Sequence, residues 1–315
     1  MRGSVARKGV IGVRQGGRVT VGVVLLISAL AVPAGAQAAY PGGNGEILFE
    51  RDESLFTISP SGPVNGEKRL ARIGTSTENP EYSPNGKKIA FAADLGAGNS
   101  YQVIVAKSNG KKPKAVTKGA KKCLSARSPS WSPNGKKLAF ICNDKGFPTS
   151  FEVYTIGVDR KGLKRVTDMN EVDYLKWNPA DPNEIAFVNA QLLYTVGARG
   201  GAPALLNGDP PGITGAGWFD FDYSPDGSLL VAESGEGNLH LMDAASGAFG
   251  PSLIGAEFDA QVEPNFSPDG QQIAFVNAGS SVHDIMVAPA TGAEAGTPLT
   301  STPNDSERDP TWRPR

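Results

Sequence analysis

The sequence predicts an all-β protein, a six-bladed β-propeller with four antiparallel strands per blade. Three observations predict it: a repeated aromatic-Ser-Pro-Asx-Gly segment, its near-constant spacing, and chain ends that supply complementary halves of one further copy. The copies are Tyr82-Ser83-Pro84-Asn85-Gly86, Trp131-Ser132-Pro133-Asn134-Gly135, Trp177-Asn178-Pro179, Tyr223-Ser224-Pro225-Asp226-Gly227, Phe266-Ser267-Pro268-Asp269-Gly270 and Trp312-Arg313-Pro314. Successive motif prolines stand 49, 46, 46, 43 and 46 residues apart, the length of a four-stranded blade. Composition agrees: 39 Gly and 24 Pro in 315 residues, with no collagen-like period, make a turn-dense chain of short strands.

Each part of the repeat has a physical job. Pro presets φ at the first corner of a tight turn, Asn or Asp tolerates the next, and Gly accepts the positive φ that reverses the chain into a hairpin. An aromatic-ended first strand therefore turns back into a short apolar second strand: Ile89-Ala90-Phe91, Leu138-Ala139-Phe140, Ile185-Ala186-Phe187, Leu230-Val231-Ala232 and Ile273-Ala274-Phe275. Third strands follow at Tyr101 to Val105, Phe151 to Ile156 and Leu239 to Met242, and short fourth strands at Lys114 to Thr117 and Lys164 to Thr167. One such sheet cannot bury both faces alone, whereas radial stacking lets each first-strand aromatic pack on the next blade. Tyr82, Trp131, Trp177, Tyr223, Phe266 and Trp312 are thus expected to form a buried, structural aromatic ring. Around Trp177 the compact turn gives way to Pro179-Ala180-Asp181-Pro182-Asn183, which predicts a protruding loop.

The two ends explain each other. Trp312-Arg313-Pro314 is a first strand with half a turn, and Gly43-Asn44-Gly45 followed by Ile47-Leu48-Phe49 is the missing half-turn and second strand. The last strand is expected to pair with the first blade, which closes the ring and hides sheet edges that would otherwise be open.

The aromatic-Ser-Pro-Asx-Gly pattern, followed by Lys-Lys-Ile-Ala-Phe and a Tyr-containing third strand, resembles the TolB-like, WD-like β-propeller repeat. That repeat occurs in the translocation protein TolB and in the propellers of prolyl-oligopeptidase-type peptidases. The resemblance covers residues 40–315 and implies the propeller fold without implying one function. It also implies two differences: the α/β domain that precedes the propeller of TolB is not expected, because Gly43 already begins a blade, nor is the hydrolase domain of the peptidases.

Residues 1–38 read as a secretory signal peptide. Arg2, Arg7, Lys8, Arg14 and Arg18 precede an apolar stretch from Val19 to Val32, and small residues end at Ala36-Gln37-Ala38. The stretch is shorter than the ~20 residues of a spanning helix, so no membrane span is expected after cleavage, and the destination is the periplasm or the exterior. Without those five basic residues the net charge moves from -1 to -6, which disfavours non-specific nucleic-acid binding.

The chemistry-bearing residues are few. His240 and His283 are the two histidines, and His240 aligns with Ile104, Tyr154, Tyr194 and Met286, a packing column. No paired metal-ligand spacing, Gly-x-Ser-x-Gly elbow or phosphate-binding glycine loop occurs, so no catalytic residue, metal or cofactor is expected. Asp52, Glu53, Asp94, Asp144, Glu233 and Glu236 follow second strands at one rim and read as solvated loop caps, with bridging of a calcium ion as the alternative. Cys123 and Cys142 are the two cysteines; pairing the strands about Pro133 brings them together and predicts a stabilising disulfide.

Charge is unevenly spread. Residues 79–167 hold 17 basic and 5 acidic side chains, whereas residues 168–315 hold 5 and 21. The basic excess centres on Lys111, Lys112, Lys114, Lys118, Lys121 and Lys122, a solvated stripe or a docking patch for an anionic partner. These readings point to an exported, monomeric, non-enzymatic scaffold for a protein or peptide. A module for an anionic envelope polymer or glycan, and a channel-based hydrolase or lyase, are the alternatives.

Overall fold

In the computed structural model each Ser-Pro-Asx-Gly segment is the same locked turn. Ser83 Oγ accepts the Lys88 N–H at 3.0 Å and donates to Asn85 Oδ1, which also caps Lys87 N–H. The same bonds recur around Ser132, Ser224 and Ser267. The Gly N–H closes the turn on the Ser carbonyl, as Gly86 does on Ser83 at 2.7 Å. Gly86 is required twice over: its φ is +63°, and a Cβ there would lie 2.1 Å from Pro314 O of the adjoining blade. The described residues are 43–315 without 97–99, 121, 146–149, 208–216, 254–259, 280–281 and 293–295. The expected leader and Lys121 lie outside them.

These turns join the inner and second strands of six four-stranded antiparallel sheets. The inner strands are Glu307–Pro314 in blade 1, Ser76–Tyr82 in blade 2, Ser125–Trp131 in blade 3, Val172–Trp177 in blade 4, Trp218–Tyr223 in blade 5 and Gln261–Phe266 in blade 6. Blade 1 is composite: Glu307–Pro314 pairs with Asn44–Arg51 through Trp312 opposite Ile47 and Glu307 opposite Arg51, so the end of the chain closes the ring. Arg51 fixes that closure with charge. Its guanidinium donates to Glu307 at 2.7 Å and to Glu67 at 2.6 Å, and its side chain is buried beside them.

The apolar core is divided among the six blade interfaces, each built from two adjacent blades. Second strands supply most of it, because their residues are covered on both faces; Ile89, Ala90, Phe91, Ala92 and Ala93 are all fully buried. The loop after Trp177 is held from within, with Asn178 Oδ1 capping Ala180 and Asp181 N–H while residues 180–183 stand exposed.

Every inner strand carries one extra residue opposite its second strand. The shift falls between Glu78 and Glu81, Arg127 and Ser130, Val172 and Tyr174, Trp218 and Phe221, Val262 and Asn265, and opposite Leu48 and Glu50 in blade 1. In four blades the bulged residue precedes proline and has positive φ: Asn79, Ser128, Glu263 and Asp309, between 46° and 54°. A residue before proline is barred from the right-handed helical region, and proline has no N–H to lose where the ladder breaks. The bulge turns side chains of the inner strand toward the channel.

Candidate functional site: the channel and the basic rim

The six motif aromatics are all buried, from 1% exposed at Trp131 to 6% at Phe266. Each belongs to a different interface cluster, and its direction differs from the sequence expectation. Trp131 packs with Ala90 and Val103 of the preceding blade, Trp177 with Ala139 and Val153, and Phe266 with Val231 and Leu241. Tyr82, Tyr223 and Trp312 do the same against blades 1, 4 and 6. The reason is the shared sheet face: Trp131 lies on the side of Leu138 and Phe140, which looks back along the ring.

Cys123 and Cys142 form a disulfide with Cα atoms 5.6 Å apart. Cys142 stands opposite Ala126, so the bridge ties the entry of the inner strand of blade 3 to its second strand. His240 is buried opposite Ala232 and edge-on to Trp218 at 5.9 Å; burial lowers its pKa. Asp94 caps Gly96 N–H, and Asp144 accepts from Ser150 and Tyr154 Oη and forms an ion pair with Arg165 at 3.6 Å, so both are engaged within their own blades. Glu233 departs from the rim, reaching inward to accept Glu263 N–H at 3.1 Å. Among the described residues no group of three His, Cys, Asp or Glu is placed to hold a metal.

Lys111, Lys112, Lys114, Lys118 and Lys122 are exposed on the outer strand of blade 2 and its turns. None of them enters an ion pair among the described residues. Blade 3 extends the positive rim: Arg160 donates to Lys118 O at 2.6 Å, and Lys122, Arg165, Asp144, Tyr154 and Leu163 line a shallow recess of about 390 Å³.

The channel is what the sequence reading missed. One residue before each motif aromatic stand Glu81, Ser130, Lys176, Asp222, Asn265 and Thr311, and three before stand Asn79, Ser128, Tyr174, Asp220, Glu263 and Asp309. Both sets face the axis and line two connected levels, with cavities of about 60 and 20 Å³. The N–H of the residue after each of these aromatics bonds to the second strand, as Ser132 does to Lys137 O, so the aromatic N–H points from the free inner edge of its sheet, and the preceding blade accepts it. Glu81 takes Trp131 N–H at 2.9 Å, Ser130 Oγ takes Trp177 at 3.0 Å, Asp222 takes Phe266 at 2.9 Å and Asn265 Oδ1 takes Trp312 at 2.9 Å. Lys176 has no acceptor to offer. Its Nζ instead bridges Glu81 at 3.3 Å and Asp222 at 3.8 Å.

The other level is acidic and buried. Glu263 accepts Asp309 N–H at 2.6 Å, and Asp309 accepts Asn79 N–H and Nδ2 at 2.9 and 3.0 Å. Burial pushes the Asp220, Glu263 and Asp309 carboxyls up, and like charges around the ring add to it. Burial takes Glu233 to about 7, and burial with Asp309 and Glu78 takes Glu50 to about 8. A cue was present in the repeat: a polar residue at a constant distance before the aromatic, with proline after it in four of six blades.

No sequence-family profile matches the chain, and comparison with curated proteins finds no match. Solved structures do share its fold. TolB from Acinetobacter baumannii superposes with a TM-score of 0.68 at 18% identity, covering 86% of this chain and 67% of that one. A chain of the nidogen/laminin complex has a TM-score of 0.68 at 8% identity over 85% of this chain and 98% of that one. Hydrazine synthase of Kuenenia stuttgartiensis has 0.68 at 14%, over 89% and 49%. At these identities the likeness is one of architecture. With six four-stranded blades and a ring closed by its last strand, the chain has the fold of a TolB-like β-propeller.

Proposed function

We propose that this protein is an exported, non-enzymatic scaffold that binds a protein or peptide partner through one edge or face of the propeller. The observation that carries the reading is how its charges are used. Most channel carboxylates are committed to bonds between blades, whereas the lysines of blade 2 project from the rim without carboxylate partners among the described residues. A rigid ring with an uncompensated basic edge is suited to docking an acidic surface, and attraction of that kind is screened by salt. One neighbour of the same fold comes from a protein–protein complex, which fits the reading. Export is supported by the basic-apolar-small pattern of residues 1–38 and by the disulfide, since such bonds persist in oxidising compartments.

Crosslinking of the purified protein in envelope extract, followed by mass spectrometry, tests this. The expected result is a discrete acidic partner, crosslinked through the blade 2 rim and lost when Lys111, Lys112 and Lys118 are changed to Glu. Capture that is indifferent to charge reversal overturns the edge assignment. The same unpaired lysines favour a second reading, an anionic polymer or glycan. That reading requires salt-dependent retention on a polyanionic matrix and no discrete protein crosslink.

A further inference from the structure

At the acidic level of the channel, one carboxylate lacks a job. Asp220 is 8% exposed, its Oδ1 has no hydrogen-bond partner among the described residues, and it lines the cavity with Asn79, Ser128, Tyr174, Glu263 and Asp309. In blade 5 the bond it would make is taken, because Glu233 accepts the Glu263 N–H. Lys176, the cation beside this ring, is already held between Glu81 and Asp222. A buried carboxylate oxygen with no donor is costly, and a ligand that brings one removes the cost.

We propose that the ring around Asp220 binds a primary ammonium group, presented by a lysine side chain or by the free amino end of a peptide. This deepens the scaffold reading and rests on it for the identity of the partner as a peptide. Size and chemistry select the group. The cavity of about 20 Å³ admits a water-sized head such as –NH₃⁺ and not a planar guanidinium. A divalent metal is disfavoured because the neighbouring carboxylates are engaged with backbone donors, and no three ligands converge among the described residues. An ammonium needs only a few acceptors and one carboxyl without a donor, which Asp220 provides once the ammonium has displaced its proton.

The charged and titratable groups around Asp220 are Glu81 from blade 2, Tyr174 and Lys176 from blade 4, Glu233 from its own blade, Glu263 from blade 6 and Asp309 from blade 1. Burial holds the Asp220, Glu233, Glu263 and Asp309 carboxyls up, so the ring retains protons that the ammonium displaces. Binding therefore tightens as pH rises, while the amine itself stays charged.

The test is a titration of methylammonium chloride into the ¹⁵N-labelled full chain at constant ionic strength, following the amides of Glu263 and Asp309. Tetramethylammonium, too large for the cavity, is the control. The expected result is saturable shifts with methylammonium, none with tetramethylammonium, and affinity at least about tenfold weaker in Asp220→Asn. Nα-acetyl-lysine methylamide and glycine methylamide then tell a side-chain ammonium from an amino terminus. The proposal is overturned by no saturable response, by an equal response to tetramethylammonium, by a response to calcium chloride alone, or by undiminished binding in Asp220→Asn. If that variant does not fold, Asp220→Ser replaces it, and the contrast between the two amines in the unaltered protein still decides. No protein partner enters the titration. A negative result therefore leaves the scaffold reading standing, and failure of the crosslinking experiment leaves the ammonium site standing.

Discussion

The Glu81 carboxylate in blade 2 accepts the backbone N–H of Trp131 in blade 3 at 2.9 Å, and Trp131 Nε1 donates back to Glu81 O at 3.2 Å. Two residues 50 positions apart thereby join adjacent blades at the channel wall, where the N–H points from the open edge of its own sheet. Glu81→Leu leaves that donor buried and unpaired and releases Lys176 from one of its two carboxylates. The expected loss is about 2–3 kcal/mol by urea denaturation. Glu81→Gln keeps an acceptor and is expected to recover roughly half of it. Equal losses in the two variants would show that the charge, and not the N–H bond, is what matters.

Ring closure depends on a buried ion pair. Arg51 and Glu307 face each other across the composite blade, with side chains 8% and 0% exposed. Glu307→Ala leaves the guanidinium with Glu67 as its remaining carboxylate and is expected to cost about 2–3 kcal/mol, little changed by added salt. Replacing both partners, as Arg51→Met with Glu307→Leu, is expected to restore much of the loss. Melting curves of the single and double variants check this.

The disulfide closes a loop between residues 19 apart. Reduction is expected to lower stability by about 3 kcal/mol, mainly by enlarging the unfolded ensemble. Denaturation with and without dithiothreitol measures it. The six-bladed fold should survive reduction, because Trp131, Leu138 and Phe140 still pack on blade 2.

Glu50 gives the pH dependence its sign. Burial, with Asp309 and Glu78, raises its pKa from 4.5 to about 8, against the opposing effect of Arg308. The folded state therefore holds a proton that the unfolded state releases. Its favourable contribution is full below pH 4.5 and is lost as pH rises through about 8. Glu50→Gln is expected to leave stability unchanged at pH 4.5 and to raise it by about 1–3 kcal/mol near pH 8.5. A gain at low pH and none at high pH would contradict the sign.

Much of this architecture could be read along the chain. The Ser-Pro-Asx-Gly turns, the apolar second strands, the composite first blade and the column of His240 opposite Ala232 all rest on contacts within about one hairpin, or on two chain ends that match. The cysteine pair was reachable for the same reason, since Cys142 and Ala126 face each other across one turn.

The channel was not reachable in that way. Glu263, Asp309 and Asn79 make successive bonds although 46 and 230 residues separate them, and only ring closure brings blades 6, 1 and 2 together. The one-residue bulges matter as much, because an extra residue reverses which side of a strand faces the axis, and alternation cannot reveal it. The motif aromatics share the sheet face of their hairpin partners, as Trp131 does with Leu138, and only the stacking of blades decides that this face meets the preceding one. Local turn chemistry and periodicity, acting between neighbours in the chain, thus settled the number of blades and their strands. The direction of each inner side chain, and with it the acidic channel, was settled by contacts between blades.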